Sequence, residues 1–113
     1  MLFRWQQGRQ KSGYQKMLLA TGGWPLKFDL YLLKFNKGSD VPPHIDKVKD
    51  GEHFRLNLIL WAARKGGNFF CEHTVFESKR IKLFRPDLYT HSVTEIKHGV
   101  RIVLSLGWIR SSS

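Results

Sequence analysis

Seven stretches of this chain alternate side chains with a period of two, and clusters of Gly, Asn, Asp or Pro separate them. No other feature constrains the fold as tightly, because a period of two puts neighbouring residues on opposite faces of a strand, whereas a helix needs a period near 3.6. The clearest stretch is HFRLNLILW, residues 53–61. Phe54, Leu56, Leu58 and Leu60 share one face, while Arg55, Asn57, Ile59 and Trp61 share the other. Such a strand is expected to back onto a core with its apolar side and to front a cavity with its mixed side. The remaining stretches cover residues 27–35, 42–48, 68–76, 80–86, 88–96 and 100–109, with turn chemistry at Gly38-Ser39, Asp50-Gly51, Gly66-Gly67, Pro86-Asp87 and His98-Gly99. Only YQKMLLA, residues 14–20, reads as a short helix. Strands at this spacing with almost no helix predict an all-β sandwich or barrel.

A length of 113 residues suits one domain over 1–113, with its core in 27–109. The apolar fraction of 42% and the 13% aromatics exceed what a disordered segment carries. One cysteine, Cys71, rules out an intrachain disulfide, and no window has the apolar length of a signal peptide or membrane span. The expectation is a cytoplasmic protein with no membrane partner. A formal net charge of +10 favours polyanions such as nucleic acid, or an acidic partner, although the basic residues are scattered rather than gathered in one arm.

The chemistry centres on VPPHIDKV, residues 41–48. Alone, the pair His44-x-Asp46 is more often an exposed strand face than a pair of ligands. His91 lies 45 residues beyond Asp46, and Arg101 follows ten residues later. If the strands pair as an antiparallel roll, His91 comes beside His44 and Asp46. Two neutral imidazoles and one carboxylate then form the facial ligand set of non-haem Fe(II) oxygenases, with the opposite coordination positions open. An arginine inside the otherwise apolar strand 100–109 requires an anionic partner, since an isolated buried charge is costly.

With these four positions in order, residues 29–108 resemble the Fe(II)/2-oxoglutarate-dependent dioxygenases, most closely the small prolyl-hydroxylase-like branch. The resemblance implies a double-stranded β-helix, a cupin-like jelly roll with little helix. It implies Fe(II) held by His44, Asp46 and His91, with 2-oxoglutarate and O2 as co-substrates. Arg101 would bind the far carboxylate of 2-oxoglutarate with its planar fork. Ser105, on the same face as Arg101 and Val103, would add a hydroxyl nearby. By the same face argument Asn57, Trp61 and Tyr31 would look into the pocket, as would Leu33 and Phe35, although ordinary core packing accounts for each equally well. Phe35 stands where the branch often has a tyrosine, and Val103 stands where the nucleic-acid-repair branch has an asparagine.

The implied reaction hydroxylates a C–H bond, with a protein or peptide side chain as the first-ranked substrate and release of succinate and CO2. So bare a core would dimerise or need a partner to complete its pocket. The alternative is a catalytically idle β-helix that binds nucleic acid or an acidic partner through its basic surface. His53, His73 and His98 have no partner at ligand spacing, and nothing around Cys71 supports thiol catalysis.

Overall fold

The computed structural model describes residues 5–7, 13–23, 27–48 and 50–110. Twelve strands occur in chain order: β1 Trp5–Gln7, β2 Gln15–Gly22, β3 Lys27–Phe35, β4 Val41–His44, β5 Glu52–Trp61, β6 Lys65–Gly66, β7 Phe69–Cys71, β8 Thr74–Glu77, β9 Ile81–Phe84, β10 His91–Val93, β11 Ile96–His98 and β12 Arg101–Arg110. The described residues contain no helix, and so none long and apolar enough to cross a membrane.

A large antiparallel sheet runs in the order β1-β2-β3-β12-β5-β9-β8. Facing it are a three-stranded sheet, β4-β10-β7, and the small pair β11-β6. This is the expected all-β jelly roll. Its core lies between the layers, where Phe35, Ile59 and Val103 of the large sheet meet Val41, Val93 and Ile96 of the smaller ones. The turn after β3 is clamped to the start of β11 by Gly38 N–H to Ile96 O and Ile96 N–H to Ser39 O, each 2.9 Å.

Three readings of the sequence need correction. Residues 14–20 are not helical: 15–20 belong to β2, paired with β1 on one side and β3 on the other. Met17, Leu18, Leu19 and Ala20 are good helix formers, but two flanking ladders outweigh that small preference, and a register irregularity between Leu18 and Ala20 hides the period of two. The large sheet therefore extends well to the N-terminal side of residue 27. Second, stretches 68–76 and 88–96 each break in two, into β7 with β8 and into β10 with β11. The third concerns β5. Its apolar face is the outer one, with Leu58 36% and Leu60 46% exposed, whereas the mixed face bearing Asn57 and Ile59 is buried. Strand β12 repeats the inversion: Arg101, Val103 and Ser105 are buried, and Ile102, Leu104 and Leu106 face outward, only half-buried.

Candidate metal centre

Strand β4 ends at His44 and β10 begins at His91, and the two are direct antiparallel partners. Their rings lie 4.2 Å apart, centroid to centroid. Asp46 sits just past the end of β4, where its backbone N–H donates to Pro86 O at 2.8 Å. Its Oδ2 lies 3.5 Å from His44 Nε2 and 3.5 Å from His91 Nε2. One donor atom from each residue falls within 4.8 Å of the other two.

The tautomers follow from the backbone. His44 Nδ1 is 2.8 Å from Pro42 O, and His91 Nδ1 is 3.0 Å from Tyr89 O. A carbonyl oxygen can only accept, so each Nδ1 carries the proton and each Nε2 lone pair points toward Asp46. Phe84 packs 5.2 Å from the His91 ring and holds it in place. Two tethered imidazoles and one carboxylate suit a divalent first-row ion. Donors adjacent on an octahedral ion at about 2.1 Å stand about 3 Å apart, so each Asp46–histidine spacing of 3.5 Å needs to contract by only about half an ångström.

The cluster opens into a cavity of about 260 Å³. Leu33, Phe35, Val41, Phe69, Phe84 and Val93 give it apolar walls. Arg101 also lines it, only 2% exposed, with its guanidinium carbon 5.1 Å from the Phe35 ring centre. Among the described residues its Nη2 has no hydrogen-bond partner. Burial pushes the guanidinium down from its ordinary value to about 10. A buried cation short of a partner favours an anion beside it.

Tyr31, Asn57 and Ser105 line the same cavity, and the Ser105 hydroxyl is engaged within the fold. It donates to Asn57 Oδ1 at 2.6 Å and accepts from Arg55 Nη1 at 2.8 Å, while Arg55 Nη2 donates to Asp29 Oδ1 at 2.8 Å. Trp61 is misplaced by the face argument. Between Ile102 and Val103 the register of β5 slips by one residue, so that Trp61 rather than Leu60 opposes Ile102. That bulge turns Trp61 outward, 65% exposed and away from the cavity.

Arg55 is the main residue the sequence reading missed, although it shares the buried face of β5 with Asn57. Gly107 opposes it on β12, and a Cβ at that position would collide with the Arg55 guanidinium. His53 also lines the cavity, and burial, aided by the Arg55 charge, pushes its imidazole down. Tyr14 stacks on Phe35 at 4.8 Å and lines the cavity too, so a tyrosine arrives from just before β2 where the expected strand carries Phe35. Burial pushes the Cys71 thiol up, away from nucleophile chemistry.

Fold and site together define a cupin-type jelly roll with a His-Asp-His cluster facing a buried arginine. No protein-family model and no curated protein matches the sequence. Solved structures do. A Pseudomonas putida prolyl-4-hydroxylase shares 17% identity at a TM-score of 0.70, over 96% of this chain and 78% of that one. The Schizosaccharomyces pombe Cnp3 cupin domain shares 15% at 0.65, over 94% and 68%. A chain of the Rhodobacter sphaeroides SigE complex with the anti-sigma ChrR shares 24% at 0.56, over 91% of this chain but only 48% of that one, about half its length. These likenesses establish the fold; they span an oxygenase and proteins of other kinds.

Proposed function

We propose that the protein is an Fe(II)- and 2-oxoglutarate-dependent dioxygenase that hydroxylates a C–H bond, with a protein or peptide side chain as its substrate. The carrying observation is the pair of imidazoles, each tied through Nδ1 to a backbone carbonyl, aiming Nε2 at one carboxylate in a cavity that also holds the buried Arg101. When bound, ferrous iron and 2-oxoglutarate activate dioxygen, giving succinate, CO2 and a hydroxylated product. His44, Asp46 and His91 would hold the metal on one side and leave the side toward the cavity open. Arg101 would take the far carboxylate of 2-oxoglutarate in a bidentate fork and fix the direction in which the acid lies. The aromatic and aliphatic walls exclude water, and the Asp29–Arg55–Ser105–Asn57 chain holds the polar floor rigid. The prolyl-4-hydroxylase fold supports a peptide substrate.

Anaerobic Fe(II) titration with and without 2-oxoglutarate tests the proposal. The wild type is expected to develop a metal-to-ligand charge-transfer band only with both present. His91→Ala should abolish it, and Arg101→Ala should keep iron while weakening the co-substrate by about 10- to 100-fold, the effect of losing a charged bidentate contact. Absence of the band in the wild type at saturating iron would refute the assignment. Salt-sensitive retention of RNA or DNA without succinate release would instead favour the idle, polyanion-binding reading suggested by the charge of +10.

A further inference from the structure

The outer side of the large sheet carries a continuous apolar surface that the proposed chemistry does not use. Hydrogen-bonded neighbours align into rows across it. One row runs Met17, Leu32, Leu104, Leu58, Ile81 from β2 to β9. The next runs Ala20, Leu30, Leu106, Leu56, Leu83, Phe76 and reaches the edge strand β8. None of these side chains is buried, though several sit mid-sheet, and Leu58, Ile81 and Phe76 are exposed at 36%, 36% and 54%. The buried side of the same strands holds Arg101, Ser105 and Asn57. A strand whose leucines face outward while its arginine faces inward presents the kind of apolar patch that marks an interaction surface.

We propose that a second copy of this chain covers this face, stacking sheet on sheet about a twofold axis near Leu104 and Leu106 of β12. Three features favour a copy over another occupant. Five strands at about 4.8 Å spacing make the face about 24 Å wide, more than twice the roughly 10 Å diameter of a single helix, so one docked helix leaves most of it wet. Over a similar length the flat area approaches ~600 Å² before side-chain relief, close to the ~800 Å² per partner of a standard interface. Third, the face is nearly neutral in a chain of charge +10. Lys34 lies at one end, and Arg85 and Arg110 at the other are matched by Glu52 and Asp87. Two copies can meet there without opposing like charges. Strand β12 is the middle strand of β2-β3-β12-β5-β9, so an axis through it superposes the leucine rows on their own counterparts.

Sedimentation equilibrium on the full chain, over a range of micromolar concentrations, tests this. The wild type should be a dimer. Leu58→Glu, at a position already partly exposed, should weaken dimerisation by at least about 100-fold while circular dichroism retains the β spectrum. Leu104→Glu should do the same at the axis, and Trp61→Lys, at the exposed margin of the face, supplies a third variant without folding cost. A monomeric wild type, with or without affinity for some other protein, overturns the proposal. So does a dimer that survives all three substitutions. Neither result depends on iron or 2-oxoglutarate, so the metal-centre reading stands or falls separately.

Discussion

Arg101 shows what a buried, incompletely bonded cation costs a fold. Its guanidinium is desolvated, pushed down to about 10, and incompletely hydrogen-bonded. Arg101→Met keeps the length and apolar stem while removing the charge. It is expected to raise the unfolding free energy of the ligand-free protein by about 1–2 kcal/mol, measured by urea denaturation, while abolishing stabilisation by 2-oxoglutarate. A loss of stability instead would mean that the cation is satisfied within the fold. That His44, Asp46, His91 and Arg101 would share one cavity was legible in the sequence because their order and spacing together resemble a known ligand pattern, which no one of them carries alone. Arg55 was not, since nothing local says that an arginine on a mixed face will reach Ser105 and Asp29 across two strands.

At the scale of elements, long strands with unbroken alternation were read almost to their ends: 27–35 matches β3, and 100–109 differs from β12 by one residue at each end. Failures came where the pattern is interrupted. The one-residue slip in β5 sends Trp61 to the wrong face, and such a slip shows only once both strands are paired. The turn after β9 carries its own test. Burial alone would push the Asp87 carboxyl up, but hydrogen bonds from Arg85, together with backbone N–H groups, hold it below its ordinary 3.8. A carboxyl lowered in the folded state stabilises fully above 3.8 and loses that contribution as pH falls through the lowered value. Thermal melts from pH 6 down to pH 2 should therefore show Asp87→Asn less stable by about 1–3 kcal/mol near neutrality and less steep in its acid decline. Parallel curves for variant and wild type would remove Asp87 from the acid response.

For the molecule as a whole, the His-Asp-His cluster joins β4 and β10 of one layer, while Arg101 belongs to β12 of the other. A metal and 2-oxoglutarate bound together would bridge the two layers, so their binding should register as stability. At about 100 times the dissociation constant the gain is about 2.7 kcal/mol, visible as a higher melting temperature in calorimetry under anaerobic conditions. Chelation should reverse the shift, and His91→Ala should never show it. An unchanged melt on adding both ligands would mean that the two layers are not linked by the site.

Alternation and turn residues were enough to define an all-β fold, because side-chain period is a local property of the chain; the roll topology and the ligands it could hold entered only with the family resemblance. Which face of each strand turned inward was not a local matter. On β5 and β12 the leucines went out and the arginines, serine and asparagine went in, the opposite of what transfer free energies alone dictate. A single strand carries both faces. Only the packing of the two layers around a polar cavity, with neighbours in register on both sides, selected between them.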